Sequence, residues 1–209
     1  MTKEVFTIDP VIYEYAHRYL QRFMPITGEE LDDLMQYCEI RRFDKKTIIV
    51  QEGEIDNYLN MVVKGMVRKY VRVKNNDLIL QLATEGHVVH SEISFLNRKP
   101  SPVFIETLEP TILVSLRFDK MEIALDKFPK GERLGRLILS GMFIKKDENH
   151  YARLSKSVRE RFFDYMNNHA HMLQRVPQKY LASYLNIKPE TFSRFKHLIK
   201  GNTKSKTVQ

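Results

Sequence analysis

Cys38 is the sole cysteine, so the chain can close no internal disulfide and cannot hold an iron–sulfur cluster on several cysteines of its own. That usage fits a reducing cytoplasm. Long apolar runs are missing as well. No stretch approaches the roughly 18 residues a membrane helix needs, and the opening MTKEVFTIDP has no apolar segment suited to a signal peptide. Metal-ligand spacing is equally scarce. His87 and His90 flank two valines in HVVH, no third ligand follows at a useful distance, and both read as surface or core histidines. The same shortage counts against a jelly-roll enzyme, which needs His and Glu clustered facing inward, and Glu92 beside HVVH is a poor set. No axial haem ligand stands out, no cofactor is identified, and any effector is unknown.

The 209 residues, 43% of them hydrophobic, allow one large or two modest domains with real cores. Charge is unevenly placed. Residues 1–153 hold 23 basic and 23 acidic residues, whereas residues 154–209 hold 11 and 3, which accounts for the whole net charge of +8. A basic module thus follows a neutral one, as expected where only one end meets polyphosphate; a solvated basic face is the plainer reading of charge alone.

Ile12, Tyr15, Ala16, Tyr19 and Phe23 repeat at helical spacing from Pro10. Thr27 with Glu30 makes a capping box for a second helix that buries Leu31, Leu34 and Met35, and Tyr37 and Cys38 at its end read as core. From Ile40 the period becomes extended. TIIVQ, LNMVVKG, MVRKYVRV, LILQLA, HVVH, PVFIETLE and TILVSL follow one another between EGEIDN, KNND, TEG and NRKPS, a spacing that predicts a β-sandwich or jelly roll. Gly53 and Gly65 mark turns that need positive φ, and Asn75-Asn76-Asp77 marks a hairpin. Ser91–Pro102, SEISFLNRKPSP, reads either as a short helix and turn in the mouth of the roll, able to cradle an anion, or as a plain loop.

After Pro129 the period is helical again. Leu134, Leu137, Gly141, Ile144, Glu148, Tyr151, Ser155, Val158, Phe162 and Tyr165 alternate spacings of three and four, predicting a modest coiled coil with a second copy, or a stripe that docks on the roll. Ser157 with Glu160 starts a new helix, so a hinge is expected near residues 153–157. Residues 176–200 then read as two short helices about a tight turn. Leu181, Ala182 and Leu185 form the inner face of the first, Asn186 ends it in a left-handed conformation, and Ile187 plugs the turn. Pro189 opens the second, whose inner face is Phe192, Phe195, Leu198 and Ile199. Lys188, Glu190, Thr191, Ser193, Arg194 and His197 are left facing outward. The pattern suits a helix-turn-helix or an ordinary helical hairpin; its coincidence with the basic charge favours DNA.

Taken in order, these elements resemble the Crp-Fnr family of bacterial transcription regulators from about Leu31 to Lys200. Glu52-Gly53-Glu54 followed by Leu59, Val62, Val63-Lys64-Gly65 and Val67 is similar to the family's roll signature, and Glu190-Thr191 with Ser193-Arg194 to its recognition-helix motif. The resemblance implies an α+β chain. N-terminal helices and a cyclic-nucleotide-binding-like β jelly roll occupy residues 1–128, a long dimerisation helix and hinge 129–155, and a helix-turn-helix with little or no wing 156–209. It implies a cytoplasmic, non-enzymatic homodimer that binds double-stranded DNA, with RNA polymerase as a further partner and no membrane. Glu190 and Arg194 are assigned to base edges, Lys188, Thr191 and Ser193 to bases or phosphates, and Gln178, Lys179 and Lys196 to phosphates, with His197 in the same row. Only Gly201–Gln209 remain for a wing, and Lys200, Lys204 and Lys206 are expected to meet phosphates as a flexible tail.

The family's effector cassette is where the chain departs. Cyclic-AMP-binding members carry Gly-Glu-Leu and then Arg-Ser-Ala or Arg-Thr-Ala, with Glu on the ribose and Arg on the cyclic phosphate. Here those positions read Ser91-Glu92 and Pro100-Ser101-Pro102. Ser91, Glu92 and Ser101, with Arg98 as a stand-in and Lys146 and Asp147 from the long helix, make the expected effector pocket, and weak or no cyclic AMP binding is expected without the arginine. A small-molecule-binding protein whose helical tail makes protein contacts is the alternative.

Overall fold

The structure, a computed structural model, describes residues 9–74 and 76–204, the last six by backbone alone. Helix α1, Pro10–Gln21, opens on Asp9, whose carboxylate accepts the Val11 amide at 2.9 Å, with Pro10 in its first turn. Helix α2, Gly28–Met35, opens on the expected capping box. The Glu30 amide donates to Thr27 Oγ1 at 3.3 Å, and the Thr27 amide to Glu30 Oε2 at 2.9 Å. The inner faces of both helices, Ile12, Ala16, Tyr19, Leu31 and Met35, pack with Met61, Val63 and Val114 of the strands in one apolar cluster.

Eight strands follow: β1 Cys38–Phe43, β2 Ile48–Val50, β3 Tyr58–Lys64, β4 Val67–Val73, β5 Asn76–Ala83, β6 Val88–Val89, β7 Phe104–Thr107 and β8 Thr111–Arg117. Among the described residues they form two four-stranded sheets, ordered β1-β8-β3-β6 and β2-β7-β4-β5, in which β1–β8, β3–β8, β3–β6, β2–β7 and β4–β7 pair antiparallel. The jelly roll is therefore present. Its first strand, CEIRRF, is one the apolar alternation did not disclose, because its residues are only half-buried or exposed. Gly53 and Gly65 take φ of 89° and 96° as expected. At Gly65 the close approach is decisive, since a Cβ would stand 2.4 Å from the Pro110 carbonyl oxygen.

Between β6 and β7 lies α3, Glu92–Asn97, so Ser91–Pro102 is a short helix and turn rather than a plain loop. Helix α4, Phe118–Lys127, follows β8 and was not expected. Helix α5, Gly131–Ser155, ends where the hinge was placed, and α6, Val158–His169, opens on the Ser157–Glu160 capping box. After α7, Met172–Arg175, come α8, Gln178–Tyr184, and α9, Pro189–Lys204. Lys204, expected in a flexible tail, is helical; the side chains of Ile199 and Lys200, and Lys206 altogether, lie outside the described residues.

Two compact units divide this chain. One runs to Tyr70 and resumes over Leu82–Gly141; the other takes Val71–Gln81 and the residues from Met142 on. The second has an aromatic core of its own. Phe162 meets Phe192 edge-on at 5.1 Å and Phe195 at 5.3 Å, and Tyr165 meets Tyr184 at 5.5 Å. That core corrects the heptad reading. The helix breaks before Ser157, so Phe162 and Tyr165 serve the C-terminal core rather than continuing one seam, and Leu134 is buried in the first unit. The exposed apolar positions of α5 are Leu139, Phe143, Ile144, Tyr151 and Leu154.

Candidate functional site

Helix α8 buries Leu181 and Ala182 and stops at Asn186, which takes φ of 53°. The Asn186 amide then donates to the Ser183 carbonyl at 3.0 Å and the Ile187 amide to the Ala182 carbonyl at 2.9 Å. This is the paired closure of a left-handed helix end, with buried Ile187 as its apolar plug. The chain restarts at once: the Phe192 amide donates to the Lys188 carbonyl at 2.9 Å, with Pro189 at the head of α9.

Phe192 and Phe195 face the core, so helical spacing turns Glu190, Ser193, Arg194 and His197 to solvent along one stripe. Lys188 is exposed beside them, and Thr191 and Lys196 are half-buried at its flanks. Gln178 and Lys179 are exposed in the first turn of α8, the Lys179 ammonium 5.0 Å from the Tyr180 ring centroid. Arg194 lies over the Phe195 ring at 5.6 Å. Leu198, expected inside, is 45% exposed, because the aromatic core ends at Phe195. The result is an exposed helix face bearing one guanidinium, one imidazole, hydroxyls and a carboxylate, a donor and acceptor set suited to base edges and phosphates.

The roll holds the second group of residues. Ser91 is buried at the start of α3; its amide donates to Asp56 Oδ2 at 2.7 Å, and its hydroxyl shares a hydrogen bond with the Ser101 hydroxyl at 3.0 Å. Ser101 also donates to the Val103 carbonyl at 2.8 Å. Glu92 meets Lys69 of β4, whose Nζ lies 2.8 and 2.9 Å from the two carboxylate oxygens. Burial alone would raise the Glu92 carboxyl, but the charge and hydrogen bonds of Lys69 outweigh it and hold it below the ordinary value. Asp56 is pushed the other way, up, by its burial, against the amides of Ser91 and Tyr58. His90 is 2% exposed and packs edge-on against Phe95; burial, helped by Lys69 and opposed by Glu92, lowers it to about 4.

Arg98 is turned away from the other expected pocket residues. It caps α3 in a left-handed conformation, φ 52°, which turns the chain and commits its guanidinium to the Asp56 carbonyl at 2.9 Å, the Asn57 side chain and the face of Phe118 at 4.3 Å, rather than to Ser91, Glu92 or Ser101. Lys146 and Asp147 are exposed on α5, in the second unit. Lys69 and Asp56 were missed from the sequence. The available signal was a pair of adjacent cations, Arg68-Lys69, in β4, where alternation sends neighbours to opposite faces and must turn one of them inward.

Residues 40–128 match the family model of the cyclic nucleotide-binding domain. No curated protein matches the chain. Solved structures do. The c-di-GMP-responsive global regulator CLP of Xanthomonas campestris superposes with a TM-score of 0.63 at 15% identity, over 85% of this chain and 93% of that one. FixK2 from Bradyrhizobium japonicum gives 0.62 at 20%, over 79% and 86%, and the Thermus thermophilus catabolite activator protein 0.54 at 19%, over 88% of each. At such identities the likeness is one of fold. Residues 40–128 thus match the cyclic nucleotide-binding domain model, and the chain shares its fold with these three proteins.

Proposed function

We propose that the chain is a sequence-specific, DNA-binding transcription regulator that acts as a homodimer in the cytoplasm, carries out no catalytic step, and is not controlled by cyclic AMP. The observation that carries this reading is the stripe Glu190, Ser193, Arg194 and His197, exposed on a helix whose opposite face is fixed by Phe192 and Phe195. A rigid helix bearing Arg and Glu at adjacent turns can enter a major groove, with Arg194 bidentate to guanine and Glu190 accepting from cytosine. Lys179, Gln178, Lys188 and Lys196 supply phosphate contacts on either side of it, and Thr191 adds a hydroxyl. Two copies are needed to read half-sites about 34 Å apart, and the exposed apolar residues of α5 are the surface that joins them. RNA polymerase is the expected protein partner of the bound dimer. The divisions near residues 128 and 155 are kept as functional boundaries of sensing roll, spine and reader.

An effector that bound two arrangements of the dimer unequally would shift the spacing of the recognition helices, and so the occupancy of paired half-sites. Selection of bound fragments from random DNA, with gel filtration of the same sample, tests the reading. A twofold-symmetric site and a dimer are expected. Recovery of no enriched sequence, with retention on DNA vanishing at physiological salt, would overturn it.

A further inference from the structure

The roll contains a buried cation that its own cassette consumes. Lys69 stands opposite Ile105 in the β4–β7 register, so it shares a sheet face with a residue fully removed from solvent, and its side chain is 7% exposed. The three ammonium protons meet three acceptors: the two oxygens of Glu92, at 2.8 and 2.9 Å, and the His90 carbonyl at 3.1 Å. Nothing on Nζ is left to donate elsewhere, while Glu92, its side chain 43% exposed, gives one oxygen to each of two of these bonds.

The start of α3 is tied just as closely. The Asp56 carboxylate takes the Ser91 amide at 2.7 Å and the Tyr58 amide at 3.1 Å, while the Asp56 amide donates to Ser94 Oγ at 2.8 Å. Across the loop, Ser91 and Ser101 are joined through their hydroxyls, and the Ser101 amide donates to the Glu54 carbonyl at 2.8 Å. An internal anion thus holds the first amide of the segment and an internal cation holds its first side chain.

An ammonium removed from water is tolerated only while it is paired. Anything that drew Glu92 away from Lys69 would leave a buried ammonium without its counter-charge, so the pair holds the start of α3 where it is.

We infer that Lys69 is the resident partner of Glu92, and that with Asp56 it holds α3 in place with no diffusible cyclic nucleotide: the cassette is closed by the chain's own charges. This deepens the reading of the roll given above, yet it stands apart from DNA binding and is tested without DNA.

Hydrogen exchange on the full chain, with and without saturating cyclic AMP or cyclic GMP, is the test. The amides of residues 92–97 are expected to exchange at the same rate in all three conditions. In Lys69→Met they should exchange about tenfold faster or more, as local opening of α3 becomes easier. Should that variant fail to fold, Lys69→Met with Glu92→Gln removes both charges and so leaves no unpaired buried ion, and α3 should still exchange faster than in the unaltered chain. Slowing of α3 by either nucleotide in the unaltered chain would overturn the inference, as would an unchanged α3 rate in the folded single or double variant. Failure of the DNA selection would leave this result untouched.

Discussion

Ser183 of α8 ties off the edge at Ile79 of β5: its Oγ accepts the Ile79 amide at 3.0 Å and donates to the Asp77 carbonyl at 2.9 Å. Strand β5 is outermost in its sheet, where backbone groups lack a neighbouring strand, and one side chain satisfies a donor and an acceptor of that edge. Both partners belong to the second compact unit. Ser183→Ala should therefore lower stability by about 1–2 kcal/mol in urea titration, since two partly buried backbone groups lose their partner. Ser183→Thr, which keeps the hydroxyl, should lose less. An unchanged urea midpoint for the alanine variant would show that the tie contributes nothing.

The C-terminal core can be weighed at one buried and one exposed position. Phe192, buried against Phe162, should cost about 3–5 kcal/mol on replacement by Ala, with loss of the helical signal of the second unit. Leu198→Ala, at a position 45% exposed, should stay within about 1 kcal/mol. Thermal melts of the two variants that coincide would refute this division between inside and outside.

On DNA, Arg194→Ala should weaken binding by about 1–3 kcal/mol and relax preference at one base pair, whereas Lys179→Ala should weaken all sequences alike and flatten the salt dependence. Gel-shift titrations against the selected site and a scrambled one separate the two. If Arg194→Ala changed neither affinity nor preference, α9 would not be the reading helix.

Phe143 and Leu154, 70% and 73% exposed on α5, are apolar surface with no cover in a single copy. Replacing both by Glu should move the chain from dimer to monomer in sedimentation velocity and remove the concentration dependence of its melting temperature. A dimer that survived both charges would place the interface elsewhere.

His90 makes stability depend on pH in a definite direction. Its folded value of about 4 lies below the ordinary 6.5, so between these limits the unfolded chain takes up a proton that the folded chain refuses. Stability is thus intact above about 6.5 and falls as pH drops toward 4, at up to about 1.4 kcal/mol per pH unit. His90→Leu should remove that slope. Glu92, held below the ordinary carboxyl value, contributes stability above it that is lost as pH falls through the depressed one, so an acid limb should persist in the leucine variant. Urea midpoints measured from pH 7 to pH 4 check both; parallel curves for the two proteins would rule out His90 as the source.

Periodicity disclosed most of the helices and strands because it is a local property. Thr27–Glu30 and Ser157–Glu160 form their capping boxes, Asn186 adopts its left-handed turn, and Phe192 and Phe195 point inward, all within a few residues of the signal that announced them. Where reading failed, a distant partner decided. The strand CEIRRF pairs with β8, 68 to 78 residues away, and its alternation breaks at Arg41-Arg42. The heptad stripe was carried through Phe162 and Tyr165 although a new helix was expected from Ser157, and Phe162 packs on Phe192 and Phe195 rather than extending the seam. Arg98 looked available two places from the lost arginine until its left-handed cap turned it to Asp56, Asn57 and Phe118.

What the amino-acid order determined unaided was the succession of elements apart from β1 and α4, the concentration of basic charge in the last quarter of the chain, and the turn residues that allow α8 and α9 to cross, since each depends on neighbours within one or two helical turns. Tertiary structure alone decided that Lys69 faces Glu92 across 23 residues and Ser183 faces Ile79 across 104. Such pairs follow from sheet register and chain closure, which bring together charges and hydroxyls whose separation along the chain carries no sign of their meeting.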